Sequence, residues 1–218
     1  MARGGKQFVP RPAAVGPGPP AAWAGVADPA AELTRGSVEA AVAVRRPDQV
    51  IAVPGMRDAA VLVPFVDGAA GLELILVKRG STAPSHAGEI AFPGGICDVA
   101  DPDPVTTALR EAEEEVGLAR GDVDVIGSLE RVSTVATAFT VTPVVGWVAQ
   151  EHDWVPQPDE IDAVLRVPVA ELVDPHAYHS ETWVRPEWQV HFFDIEGETI
   201  WGLTARILTG LLQRVFER

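Results

Sequence analysis

Apolar residues recur along this chain in two rhythms. Short runs of Val, Leu and Ile at residues 59–65 (AAVLVPF) and 72–78 (LELILVK), parted by Gly68 and Gly71, predict a pair of buried strands. Further strands are expected over 123–129, 140–148 and 163–169. Residues 188–195 alternate imperfectly and are expected to pair with 198–201 across Glu196 and Gly197. The second rhythm is helical. It predicts helices over 106–116 and 203–216, the latter with Leu203, Ile207, Leu208, Leu211, Leu212 and Val215 on one face. Residues 31–46 predict another short helix, weakened by Gly36 and ending in Arg45 and Arg46, where the helix dipole favours cations. Strands and helices mix without strict alternation, so an α/β fold with a mixed sheet between helices is expected rather than a doubly wound one.

The pattern stops near the N-terminus. Residues 1–30 carry Pro10, Pro12, Pro17, Pro19, Pro20 and Pro29, and are expected to form a flexible or extended arm outside the core. Residues 31–57 are a short helix and connector, and 58–218 the main domain. Of the tryptophans, Trp147 is expected in the core and Trp201 to pack at the terminal helix.

Composition narrows the classes. The 218 residues are 47% hydrophobic, enough for one cored domain with a tail. A single cysteine excludes an internal disulfide framework, so a reducing cytoplasm is expected. A net charge of -14 argues against a nucleic-acid surface or a polybasic membrane patch. No apolar run approaches the ~20 residues of a membrane helix, and the basic start at Arg3 and Lys6 has no apolar stretch after it, so no signal peptide is expected.

The helix over 106–116 carries the candidate chemistry. At ~100° per residue, Glu114 and Glu115 fall about 60° and 40° to either side of Glu111, so the three share one face. Val105, Leu109, Ala112 and Val116 form an apolar face, and Glu113 points away as a surface charge. Asp103 suits the N-cap, Pro104 the first turn and Gly117 a left-handed C-terminal cap. Like charges one turn apart repel. Arg110 can pair with Glu114, which leaves Glu111 and Glu115 without a cation nearby in sequence. Hard divalent ions take such oxygen ligands and keep positions open for phosphate.

The residues around this helix resemble a known family. Gly95, then Asp101, then Arg110-Glu111-Ala112-Glu113-Glu114-Glu115-Val116-Gly117-Leu118, is similar to the Nudix box, G-x5-E-x7-R-E-U-x-E-E-x-G-U with U a bulky apolar residue. Asp101 stands where Glu is usual, one residue further from Arg110. Upstream, Leu76-Val77-Lys78-Arg79, His86, Gly88 and Phe92-Pro93-Gly94-Gly95 resemble the signature of the coenzyme A pyrophosphatase branch. Val77, Gly80 and Pro84 replace its usual Thr, Ser or Ala, and Arg. Residues 140–145 and 200–208 look like the family's later strand and terminal helix entry, so the resemblance covers about 58–216.

The resemblance implies an α/β/α sandwich with a curved mixed sheet, and a hydrolase cleaving the pyrophosphate of coenzyme A or a derivative. Mg2+ or Mn2+ would be held by Glu111, Glu114, Glu115 and the carbonyl of Gly95. Catalysis would rest on Glu114, Glu115 and Arg110, which orients Glu114; Glu160, in a Pro-rich loop, is a further candidate base. Lys78, Arg79, His86 and Gly88 would bind substrate, and Cys97 would be neutral. A small-molecule partner is implied, with a homodimer open. Two alternatives stand beside this: a pyrophosphatase for ADP-ribose or another nucleoside diphosphate derivative, and a non-catalytic nucleotide-binding domain.

Overall fold

Helix α1 (Pro29–Glu32) and helix α2 (Arg35–Ala43) follow a three-residue strand, β1 (Val15–Pro17), in a computed structural model of the chain. Then come β2 (Arg57–Gly68), β3 (Gly71–Arg79), β4 (Ile90–Ala91), β5 (Gly94–Ile96) and α3 (Pro104–Val116). After a 3-10 turn come β6 (Asp124–Ser128), β7 (Val132–Thr134), β8 (Phe139–Val148), β9 (Ile161–Pro168) and α4 (Val169–Leu172). The chain closes with β10 (Tyr178–Val184), β11 (Glu187–Ile195), β12 (Glu198–Ile200) and α5 (Gly202–Phe216). The structure describes all residues except 1–4, 6, 52–53, 69–70, 82–85, 135–137, 150–151, 185–186, 196 and 218.

The main sheet runs β4-β3-β2-β8-β6, with β9 also on β3, β5 on β2 and β7 on β8. Its central β2–β8 pair is parallel and the rest antiparallel, the mixed sheet that the irregular strand–helix order predicts. A second sheet, β1-β10-β11-β12, includes the hairpin read across residues 196–197.

Strand alternation divides the core in two. Ala60, Leu62 and Val66 of β2, Ile75 and Val77 of β3 and Val144 of β8 meet Ala108, Ala112 and Val116 of α3. Val61, Val63 and Phe65, with Leu74 and Leu76, face the other way onto α2, α5 and the small sheet. Helices therefore cover both faces, and α3 alone lies on the first. No helix among the described residues is long and apolar enough to cross a membrane.

The N-terminal stretch departs from its expectation. Trp23 is 2% exposed and belongs to the core, its ring 6.1 Å from Phe193, 5.0 Å from Tyr178 and 6.0 Å from Phe216. β1 pairs with β10, and Gly5, Gln7 and Arg11 bond to Thr199, Glu198 and Glu181. Proline density signals missing backbone donors, not missing packing; a short edge strand tolerates Pro17 while a large aromatic is still buried. Strand β10 has no apolar alternation to announce it: Ser180 and Thr182 follow Tyr178 on one face, and His179 and Glu181 share the other with Trp183.

Candidate active site

The local signals at both ends of α3 place its carboxylates. Asp103 accepts the Thr106 N–H at 2.8 Å, and Gly117 takes φ 73°, closing the helix with its N–H on the Glu113 carbonyl. The buried stripe of Ala108, Ala112 and Val116 then fixes which side faces the sheet. Burial grades sharply along the acidic face. Glu115 is 3% exposed, the Glu111 side chain is 17% exposed and the Glu114 side chain is 57% exposed. Glu113 points outward to Arg120 at 2.7 Å, as the helical spacing predicts.

The loop ahead of α3 meets these carboxylates backbone first. The Gly94 N–H donates to Glu115 Oε2 at 2.9 Å. A Cβ on Gly94 would fall 2.4 Å from the Ala60 carbonyl oxygen, which closes that position to a side chain, and one on Gly95 would fall 2.4 Å from the Glu111 carboxyl carbon, so a side chain there would displace that carboxylate. Phe92, buried in the opposite core, and the Pro93 carbonyl, which accepts the Leu62 N–H, anchor the approach.

Arg110 is the hub. It bonds Asp101 at 3.0 Å, Glu111 at 2.9 Å and Glu114 at 3.1 Å, and reaches the Ile96 carbonyl. The expectation that Glu111 has no neighbouring cation is therefore corrected. Asp101, nine residues back, turns the guanidinium across its own helix, where Nη1 spans both glutamates. Bonding to Arg110 and to the Thr107 hydroxyl holds Asp101 down at about 2. Burial instead pushes Glu115 up to about 7, opposed by the Gly94 N–H and the nearby Arg79. Glu111 is also raised by burial, against the pull of Arg110. The charge of Glu160, in the loop whose backbone bonds the Glu115 carbonyl, adds to the upward push on both glutamates.

A NUDIX domain model matches residues 56–189. The chain belongs to the Nudix family. It is 38% identical over 183 residues to Nudix hydrolase NudL of Cronobacter sakazakii, covering 79% of this chain and 90% of that one. It is 40% identical over 171 residues to Nudix hydrolase 22, chloroplastic, of Arabidopsis thaliana, covering 74% of this chain and 56% of that protein. A solved MutT/nudix family protein from Enterococcus faecalis superposes with TM-score 0.52 at 15% identity over 78% of this chain and 66% of that one, a likeness of fold. The chain is thus a Nudix hydrolase, a pyrophosphatase by class.

Nudix hydrolases generally use divalent metal ions. Among the described residues no three His, Cys, Asp or Glu side chains converge at ligating distance, and Glu111 and Glu114 are both paired with Arg110. The donor set nonetheless fits such an ion. Glu111, half-buried, and Glu115, buried, stand one turn apart, both made reluctant to ionise by burial, and Gly95 brings its backbone against Glu111.

The upstream residues separate. Strand alternation sends Lys78 to the face opposite α3, where it bonds Glu198 at 2.5 Å, and Gln7 holds the other oxygen of that carboxylate. Arg79 is on the α3 side, beside Glu115, and its buried Nε has no hydrogen-bond partner among the described residues. The Gly88 N–H donates to the Arg79 carbonyl, and the Arg79 N–H to the Glu89 carbonyl, folding the loop back onto β3. His86, at φ 58°, bonds Glu89 at 2.8 Å, which raises its pKa. Pro84 lies outside the described residues. Cys97 packs half-buried beside the α3 core. Sequence reasoning missed Gln157, whose N–H donates to the Glu115 carbonyl at 2.9 Å; its only signal is its place between Pro156 and Pro158.

Proposed function

We propose that this enzyme hydrolyses the pyrophosphate bond of coenzyme A or a derivative, with Mg2+ or Mn2+, releasing adenosine 3',5'-bisphosphate and 4'-phosphopantetheine. The observation that carries the reading is Arg79: a guanidinium with an unpartnered buried Nε, set beside Glu115 by the strand that leads into Phe92-Pro93-Gly94-Gly95. Planar, bidentate Arg suits a phosphate oxygen pair.

Glu111 and Glu115, with Glu114 and the Gly95 carbonyl, would hold the cation, which when bound neutralises phosphate charge and acidifies water. The chain's own part is positioning. Arg110 keeps Glu111 and Glu114 oriented, itself fixed by Asp101. Arg79 and His86 draw the diphosphate towards the carboxylates. Water attacks phosphorus, the bridging P–O bond breaks, and the proton from water passes to a carboxylate. Glu160 suits that role best of the candidates: Glu115 is committed to the Gly94 N–H and Glu114 to Arg110, while Glu160 is exposed and its charge acts on Glu111 and Glu115. Lys78, held by Glu198 on the far face, has no place in this scheme.

The test is incubation of the full chain with coenzyme A, ADP-ribose and NADH, each with Mg2+ or Mn2+, with products identified by mass. Coenzyme A should yield the two named products. Turnover of ADP-ribose alone would replace the substrate and keep the hydrolase; turnover of none would favour a binding domain.

A further inference from the structure

The last carbonyls of α3 have no partner within the helix and must be satisfied elsewhere. The loop ahead of β9 supplies the donors. Val155 N–H bonds the Val116 carbonyl at 3.0 Å, Gln157 N–H bonds the Glu115 carbonyl at 2.9 Å, and His152 Nε2 lies 3.0 Å from the Gly117 carbonyl. The segment that returns the chain to the sheet is thereby tied to the backbone of the most buried glutamate.

Within this loop one side chain closes a turn. Gln157 Oε1 accepts the Asp159 N–H at 2.6 Å and the Glu160 N–H at 3.0 Å. Its own carbonyl accepts Glu160 N–H at 3.2 Å and Ile161 N–H at 2.8 Å. Pro156 and Pro158 on either side restrict the backbone, so the side chain closes a turn that is already stiff. The far end is pinned to β3, where Gly80 N–H donates to the Glu160 carbonyl at 2.7 Å and Ile161 stands opposite Arg79. A Cβ on Gly80 would approach that carbonyl to 3.1 Å, which accounts for glycine there.

We infer that Gln157 is a positioning residue for hydrolysis: its side-chain carbonyl closes the turn that carries Glu160, a turn tied by backbone bonds to Glu115 at one end and to Gly80, next to Arg79, at the other. Without that acceptor the Asp159 N–H loses its protein partner, and Glu160 keeps only the weaker backbone bond. The inference rests on the reading of Glu160 as the proton acceptor, and the experiment separates the two.

Four variants of the 218-residue chain are compared on whichever of coenzyme A and ADP-ribose it turns over: Gln157→Ala, Gln157→Glu, Glu160→Gln, and Gln157→Ala combined with Glu160→Gln. Gln157→Glu keeps an oxygen for both N–H groups. Glu160→Gln should lower kcat by about 10²-fold, the ordinary worth of a general base. Gln157→Ala should lower kcat by about tenfold with KM nearly unchanged, as expected for a catalytic group present but misplaced. Gln157→Glu should recover most of that loss, and Gln157→Ala should add nothing in the Glu160→Gln background. Independently of activity, amide exchange at Asp159 should accelerate in Gln157→Ala and stay protected in Gln157→Glu.

Wild-type kcat or unchanged exchange at Asp159 in Gln157→Ala overturns the positioning role and leaves the reading of Glu160 standing. A further loss in the Glu160→Gln background, matched by a fall in Tm, shows a purely structural turn and also overturns it. Wild-type turnover in Glu160→Gln removes both the base and its positioning residue, while the carboxylates of α3 remain the site.

Discussion

Replacing Glu115 by Gln should stabilise the metal-free protein while destroying its affinity for a divalent ion. Burial raises this carboxyl from its ordinary 4.5 to about 7. The sign follows from proton counting. Below pH 4.5 the group is protonated in both the folded and unfolded chain and contributes nothing. Between 4.5 and about 7 the unfolded chain has released its proton and the folded chain has not, so stability falls as pH rises. Above that window the deficit is constant. A factor of ten in proton affinity is about 1.4 kcal/mol, so the ionised group costs the fold about 3 kcal/mol at pH 8. In Glu115→Gln the amide oxygen still accepts the Gly94 N–H, but its NH2 needs a partner of its own, which reduces the gain to about 1–3 kcal/mol. For a chain of this size that is a rise in Tm of about 3–9 °C. Thermal melts of both proteins at pH 5 and pH 8, in chelator and in millimolar Mn2+, check it. The mutant's advantage should be small at pH 5 and full at pH 8, and Mn2+ should raise the Tm of the wild type alone. A mutant less stable than the wild type at pH 8 in chelator would refute the claim that burial, and not an internal counter-charge, governs Glu115.

Three further substitutions probe other parts of the argument. Gly95→Ala places a methyl against the Glu111 carboxyl and should weaken Mn2+ binding at least about tenfold, read by titration calorimetry, because the shell around a ligand sets its orientation. Arg214, 5% exposed, pairs with Glu130 and donates to the Val44 carbonyl at 2.9 Å, so Arg214→Ala strands a buried carboxylate and should cost about 3–5 kcal/mol in urea unfolding. Trp23→Ala empties a core position that binds the N-terminal segment to α5 and the small sheet and should cost about 3–5 kcal/mol, whereas a floating arm would show no change.

How much of this was legible depended on how far each cause lies along the chain. Asp103, Pro104 and Gly117 act on the helix they bound, so α3 and its acidic face could be read directly, and the structure places them there. The long central strands β2, β3 and β8 declared themselves by apolar runs because both of their faces are buried, whereas β4, β5 and β7, two or three residues each, are too short to show a pattern. β10 and Trp23 did not, since one is half polar and the other sits among prolines. Within the site, spacing brought Glu111, Glu114 and Glu115 together but could not grade their burial. That grading comes from Gly94 and Gly95, which arrive from β5, and from Asp101, which turns Arg110.

The two ends of α3 show why the rest was hidden. Its N-terminal donors are met by a side chain three residues from the group it satisfies. Of its C-terminal carbonyls, those of Glu115 and Val116 are met by Gln157 and Val155, about forty residues downstream in a loop without periodicity. A short-range cap leaves a residue signature; a long-range one needs only backbone N–H groups, which every residue but proline has. The same long-range cap leads into the turn that carries Glu160, whose charge acts on Glu111 and Glu115, and into β9, where Ile161 stands opposite Arg79. Closing the helix and completing the acidic cluster are therefore a single structural event. A change that frees the loop from the Glu115 carbonyl should loosen the end of α3 and displace Glu160 together.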